Sequence, residues 1–175
     1  MSGIKGFLVV LRTPEDMRNA RQPEYLGVDR VPAYPSTVPE EERAMEEYVF
    51  GEFTNETGFI PTLASAVALL NLLKASPRQF EIIYCEEWSG VAASGLGDFR
   101  LLGYDVAGAP GDLWSIVGDF PDGDLGVQVY RERLNRYRLF DQATDALQYW
   151  KAYRESRLAD HDLPLAVLGV YAVHR

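Results

Sequence analysis

Short apolar runs alternate along this chain with longer stretches whose apolar positions are spaced three and four residues apart. Runs rich in branched and aromatic side chains, which favour β-strands, lie at residues 7–11, 80–87, 99–106, 113–120, 125–130 and 165–173. The first and the last are apolar at every position, so we predict strands that are covered on both faces and lie near the middle of a sheet. Turn sequences separate the third, fourth and fifth runs, which predicts an antiparallel meander.

Three stretches have helical spacing. Pro39 and the carboxylates that follow it predict a helix over about 39–53, with its apolar side chains on one side and its glutamates outward. A helix over 63–74 is apolar nearly all round and is predicted to be buried against the sheet. Asp141 is predicted to cap a third helix that runs to about Leu158. This order predicts an α+β fold, a mainly antiparallel sheet of about five to six strands with three helices packed on it.

The length of 175 residues predicts a single globular domain over residues 1–175. Cys85 is the sole cysteine, so an intrachain disulfide is excluded, and its apolar surroundings predict a buried structural thiol. No signal segment is apparent at the N-terminus, and the longest apolar helical run is shorter than the roughly 20 residues that cross a bilayer. We therefore expect a cytoplasmic protein.

The charge of the chain is negative and unevenly distributed. The net charge is −9, and residues 40–56 hold seven glutamates against the one Arg43. These glutamates are Glu40, Glu41, Glu42, Glu46, Glu47, Glu52 and Glu56. Such a run on one helix face serves either to keep the protein in solution or to attract a basic partner. The net charge argues against nucleic acid and anionic membranes as partners.

Motifs that carry catalysis are missing from the sequence. It contains no nucleophile elbow, no phosphate-binding loop and no zinc spacing of the Cys-x-x-Cys or His-Glu-x-x-His kind. Asp119, Asp122 and Asp124 lie around a predicted hairpin turn, and this segment lacks the bidentate glutamate of a calcium-binding loop. We therefore assign no catalytic, cofactor-binding or metal-binding residue.

A second acidic group is predicted at one edge of the meander, where carboxylates and tryptophans are expected to form a patch for a basic protein surface. Its members are Glu86, Glu87, Trp88, Asp98, Trp114 and Asp119. The alternative for the tryptophans is core packing. An acid–base couple of the glycosidase kind would require a second carboxylate such as Asp105.

The one basic feature is the run of Arg131, Arg133, Arg136 and Arg138, with Tyr130 and Tyr137 between them. Arginines interleaved with aromatics occur in nucleic-acid grooves. In a chain of charge −9 we expect these arginines instead to pair with acidic neighbours.

Residues 99–106 (FRLLGYDV), the turn that follows them and the helix containing Tyr149, Trp150 and Lys151 resemble small bacterial immunity proteins of polymorphic toxin systems. The resemblance implies an acidic, cytoplasmic α+β protein that caps the active site of a secreted toxin. Immunity families share no common functional residues, so the resemblance assigns no role to any residue here.

Two hypotheses follow. In the first, the chain is an immunity-type or inhibitor-type protein that neutralises a basic partner enzyme, such as a cognate toxin, through its acidic surface. In the second, it is a small hydrolase or transferase with a carboxylate-lined cleft beside the glycine-rich loop at residues 89–98.

Overall fold

A computed structural model describes residues 5–11, 59–75, 80–91, 97–108, 114–117, 129–156 and 164–173. One antiparallel sheet contains β1 (Lys5–Leu11), β2 (Phe80–Glu87), β3 (Phe99–Gly108), β4 (Trp114–Ser115) and β5 (Leu165–Val173). Two α-helices are described, α1 (Leu63–Leu72) and α2 (Ala143–Glu155). The strand order across the sheet is β1-β2-β5-β3-β4.

The α+β class is confirmed, but the described residues hold fewer elements than we predicted. They contain four long strands, the two-residue β4 and two α-helices, against about five to six strands and three helices. The predicted helix over 39–53 lies outside the described residues, as do residues 125–128 of the predicted strand over 125–130. Residues 129 and 130 are described and lie in a turn, so the strand prediction was wrong at its end. The expected hairpin after β3 is confirmed where it can be followed, because Gly108 pairs with Trp114 in an antiparallel register.

Strand β5 occupies the centre of the sheet, as its continuous apolar sequence predicted. It pairs with β2 on one side and with β3 on the other, both antiparallel. Val167 and Tyr171 contribute to the clusters that contain the helices, whereas Leu168 and Val170 belong to the cluster on the opposite face. Side chains alternate between the two faces along a strand, so a central strand that is covered on both faces needs an apolar residue at nearly every position.

Strand β1 is covered on both faces but does not lie near the middle of the described sheet. Phe7 and Val9 pack on the helical face, and Leu8 and Val10 pack on the other. On its outer side, Phe7 exchanges two backbone hydrogen bonds with Ile60, at 2.8 and 2.9 Å. The predicted position was wrong because an apolar pattern reports the covering of the two faces, and not the number of neighbouring strands.

Helix α1 packs on the sheet through one face only. Thr62 caps its N-terminus, since the hydroxyl Oγ1 accepts a hydrogen bond from the backbone N–H of Ser65 at 3.1 Å. Ala66 and Leu69 are fully buried, whereas Leu63 is 37% exposed. The predicted packing against the sheet is confirmed for this face, whereas the apolar residues on the other side of the helix are exposed because the sheet contacts only one side.

Helix α2 packs on the same face of the sheet as α1, against Tyr104, Val106 and Val167 of β3 and β5. Its N-cap is Gln142, so the predicted cap at Asp141 was wrong. The Asp141 carboxylate instead accepts a hydrogen bond from the side-chain amide of Asn135 at 2.9 Å.

A β-bulge interrupts the pairing of β3 with β5. The register shifts between Leu101 and Gly103, which leaves Leu102 as the extra residue. Gly103 has φ of +153°, and a Cβ added there would lie 2.7 Å from Leu139 Cβ and 2.8 Å from the Phe140 carbonyl oxygen. The segment that follows residue 134 therefore packs directly on the backbone of the bulge.

We expect Gly103→Ala to lower the free energy of unfolding by about 2–3 kcal/mol, because the added methyl group clashes with backbone as well as straining φ. Urea denaturation measures the loss. Gly90→Ala is the matched control, since Gly90 also has positive φ (+95°) but has no atom within 4 Å of an added Cβ. The control is expected to lose about 1 kcal/mol from strain alone. Equal losses in the two variants would show that the close packing at Gly103 is not what matters.

Candidate functional site

The predicted acidic surface is only partly visible in the described residues. Glu40, Glu41, Glu42, Glu46, Glu47, Glu52 and Asp119 lie outside them. Trp114 is described in its backbone alone, as a strand residue opposite Gly108. Glu86, Glu87, Trp88 and Asp98 remain, and their positions follow from the register of β2 and β3.

Glu86 and Glu87 project from opposite faces of the sheet. Glu86 lies across from Gly169 on the helical face, and Glu87 lies across from Leu168 on the other face. Glu86 interacts with Tyr84 through a side-chain hydrogen bond. Burial, the negative charge of Glu86 and this hydrogen bond together raise the pKa of Tyr84 to about 12. Lys5 of β1 is the direct cross-strand neighbour of Glu86, so opposite charge offsets this carboxylate.

Trp88 lies at the same end of the sheet as Glu86. Its backbone N–H donates to the Val167 carbonyl at 2.9 Å, and its half-buried indole packs against the cluster that contains α2. This placement agrees with the core-packing alternative for Trp88.

Asp98 is separated from Glu86 along the direction of the strands. The next residue, Phe99, pairs with Val173, whereas Glu86 pairs with Gly169. Phe99 is therefore four residues along the strands from Glu86, and Asp98 is five residues away, or about 16 Å. The structure therefore brings Trp88 and Glu86 together but does not place Asp98 at the same edge. At this separation, Glu86 and Asp98 do not line a common cleft.

Asp105 is a fully buried carboxyl group on β3. Its Oδ1 accepts hydrogen bonds from the Val106 N–H at 2.8 Å and from the Ser115 hydroxyl at 2.6 Å. Oδ2 has no hydrogen-bond partner among the described residues. Burial raises the pKa of Asp105 to about 7, and the two hydrogen bonds offset this rise only in part. Because its side chain is 0% exposed, Asp105 cannot form an acid–base couple on a substrate.

The shifted pKa predicts how stability depends on pH. Below pH 3.8, the ordinary pKa, both the folded and the unfolded state hold the proton of Asp105. Between pH 3.8 and about 7 the unfolded chain has lost this proton and the folded protein keeps it, so rising pH destabilises the fold. Since each tenfold change in proton affinity is worth about 1.4 kcal/mol, the total loss from this group is about 4 kcal/mol.

Asp105→Asn removes this ionisation. We expect the variant to gain stability relative to the unmodified protein as pH rises from about 4 to about 8, by about 4 kcal/mol across the window. Urea denaturation across this pH range measures the difference. Asp98→Asn, a change at an exposed carboxylate, is the control and is expected to follow the unmodified protein. A constant difference between Asp105→Asn and the unmodified protein would contradict the assignment.

Residues 134–140 form a tight turn, called the basic turn below, that is closed by a backbone bridge between Leu134 and Phe140. Asn135 organises it. Its side-chain Nδ2 donates to the Leu102 carbonyl at 2.8 Å, and its Oδ1 accepts from the Tyr137 N–H at 2.8 Å and the Leu139 N–H at 3.3 Å. A second bridge, between Tyr104 and Phe140, holds the turn against β3.

Just before the turn, Arg133 is already paired. Its guanidinium contacts the Asp145 carboxylate at 3.0 Å and the Gln148 side chain at 3.2 Å, both on α2. Its Cζ lies 4.9 Å from the centre of the Tyr130 ring. The expected pairing with an acidic neighbour is therefore found for Arg133.

Arg136 differs from Arg133 and meets a second arginine from β3. The hydroxyl of Tyr137 accepts hydrogen bonds from Arg136 Nη2 and from Arg100, whose Nη1 and Nη2 lie 3.5 and 3.4 Å away. The two Cζ atoms lie 4.6 and 5.9 Å from the Tyr137 ring centre. Burial raises the pKa of Tyr137, but the hydrogen bonds and charges of the two arginines outweigh it, so this pKa lies below its ordinary value.

The sequence did not indicate that Arg100 belongs with the basic run. Arg100 is a strand residue opposite Ala172, and it reaches Tyr137 because the bulge at Leu102 and the Asn135 bonds bring the basic turn onto β3. The one local signal was Asn135 itself, since asparagine forms turns through its own side chain.

In the described parts of the chain, no helix has the length and apolar character needed to cross a membrane. The same residues include no group of three or more His, Cys, Asp or Glu that could hold a metal ion. Neither protein-family models, nor characterised proteins, nor solved structures give a match to this chain.

Proposed function

We propose that this chain is an inhibitor-type binding protein, of the kind that gives immunity to a toxin, and that it neutralises a basic partner enzyme. The observation that carries the proposal is the charge distribution: a net charge of −9, with seven glutamates and one arginine over residues 40–56. A concentrated negative field attracts a positively charged protein from a distance and speeds its association. The chain's resemblance to small bacterial immunity proteins points the same way.

The acidic segment completes the fold in this proposal. Residues 39–53 form the third helix, with Ala44, Met45 and Tyr48 inward and Glu46 and Glu47 outward. Residues 125–128, within the run expected to form a strand, add a further strand beyond β4 in this proposal. The partner binds through the outward glutamates, and neither nucleic acid nor a membrane takes part.

Glu86, Glu87, Trp88 and Asp98 have a smaller role than the acidic segment in this proposal. Because Glu86 is hydrogen-bonded to Tyr84 and lies opposite Lys5, it offers less unbalanced charge than the segment. Glu87 is exposed on the other face of the sheet. We therefore place the main contact at Glu40, Glu41, Glu42, Glu46, Glu47 and Glu52.

The chemistry of the described residues favours binding over catalysis. Asp105 has a pKa suited to proton transfer, yet it is completely buried. Glu86 and Asp98 are about 16 Å apart along the strands, so the hydrolase or transferase with carboxylates beside residues 89–98 gains no support. We propose that the inhibitor-type protein acts in the cytoplasm, where an immunity protein meets its toxin.

Co-expression with the product of the adjacent reading frame tests the proposal. We expect the two proteins to purify together at low salt and to separate at high salt, because the screening length falls from about 10 Å at 0.1 M to about 3 Å at 1 M. Glu46→Lys combined with Glu47→Lys is expected to weaken retention at least about tenfold.

The matched control is Glu132→Lys combined with Glu155→Lys, which makes the same change in net charge at two exposed residues elsewhere. We expect this control to lose less than about threefold, since distant exposed charges are screened. If no partner is retained, or if the two double variants weaken retention equally, the acidic segment is not the binding surface.

A further inference from the structure

Arg100 and Arg136 place two guanidinium groups on one phenol oxygen without a negative charge between them. Both side chains are exposed. Among the described carboxylates none forms an ion pair with either arginine, Asp98 included. Like charges held this close repel each other, and a neutral hydroxyl offsets only part of that repulsion. An anion between the two guanidiniums would remove the rest.

Both arginines are attached to well-fixed backbone. Arg100 belongs to β3, opposite Ala172 of the central strand. Arg136 belongs to the basic turn, which the Asn135 side chain holds against Leu102. In the same turn, Arg138 adopts φ of +62°, a conformation that costs a non-glycine residue free energy and persists only when its surroundings enforce it. Fixed backbone reduces the entropy lost when a ligand binds.

The hydrogen-bond donors of Arg100 are poorly used. Its two contacts to the Tyr137 hydroxyl are 3.5 and 3.4 Å long, beyond the usual range for N–H···O hydrogen bonds. A guanidinium carries five N–H donors in a planar fork that fits two oxygens of one anion. Arg100 and Arg136 together therefore offer two forks and a charge of +2.

We propose that Arg100, Arg136 and Tyr137 form a binding site for a phosphate monoester. A monoester carries a charge close to −2 at neutral pH and three acceptor oxygens, so it can accept hydrogen bonds from both guanidiniums at once. A carboxylate has one charge and two oxygens, which a single guanidinium satisfies. The net charge of −9 opposes the approach of a polyanion such as nucleic acid. The ligand is therefore an isolated phosphate group.

The group can come from a small-molecule monoester or from a phosphorylated side chain of another protein. Phenyl phosphate represents the first source, and a short peptide containing phosphotyrosine represents the second. This site lies outside residues 40–56, so it goes beyond the inhibitor proposal and stands or falls independently of it.

The test is a titration of the full chain with phenyl phosphate, followed through the NMR signals of the arginine Nε–H groups. The titration is run at about pH 7.5, above the second pKa of a phosphate monoester, which is about 6. We expect the signals of Arg100 and Arg136 to shift with one common midpoint. Arg100→Ala and Arg136→Ala are each expected to raise the Kd at least about tenfold, since each removes charge-assisted hydrogen bonds.

Arg133→Ala is the matched control. Arg133 also lies over a tyrosine ring, but Asp145 already pairs with it, so its loss is expected to change the Kd less than about twofold. Arg100→Lys keeps the charge and removes the fork, and we expect it to weaken binding nearly as much as Arg100→Ala. Far-UV circular dichroism confirms that each variant is folded.

The two ligand sources give different results. Equal affinity for phenyl phosphate and the phosphotyrosine peptide supports a small monoester as the ligand, and tighter binding of the peptide supports a phosphorylated protein. The proposal is overturned if binding does not saturate, or if Arg100→Ala and Arg136→Ala bind as Arg133→Ala does. It is also overturned if acetate, or an oligonucleotide without terminal phosphates, binds more tightly than phenyl phosphate.

Discussion

The side chain of Asn135 makes the contacts on which the described part of the candidate site depends. Its amide donates to the Leu102 carbonyl and the Asp141 carboxylate, and its oxygen accepts from the Tyr137 and Leu139 N–H groups. Each such bond contributes about 1 kcal/mol, but their joint effect is to fix a strained turn in one position. Gly103, which follows the bulge at Leu102, lets the turn approach, since a Cβ at this position would collide with Leu139 and Phe140.

The charges of the protein fall into two groups. Glutamates dominate residues 40–56, and we propose that they bind a basic protein partner. Arginines gather where the basic turn meets β3, and there the structure distinguishes Arg133, paired with Asp145, from Arg100 and Arg136, which share a phenol. No described carboxylate pairs with Arg100 or Arg136, and this is the basis of our proposal that they bind an isolated anion while the net charge repels a polyanion.

Local patterns in the sequence were enough to predict several elements. Strand β5, strand β2 and the start of α1 lie where the apolar spacing predicted them. What the sequence did not provide was long-range register. Asp105 is buried, and Asp98 lies about 16 Å from Glu86 along the strands, because β5 inserts between β2 and β3 and sets their relative register. The partnership of Arg100 with Arg136 needs the bulge at Leu102, which has no local sequence signal.

Hydrogen exchange at the Tyr137 amide tests most directly whether Asn135 holds the turn. In the unmodified protein, the bond to Asn135 Oδ1 is expected to make this amide exchange far more slowly than an unprotected one. In Asn135→Ala, we expect the Tyr137 amide to exchange rapidly while the amides of Leu168 and Val170 in β5 stay slow. Rapid exchange at Tyr137 in the unmodified protein, or an unchanged rate in Asn135→Ala, would contradict this account.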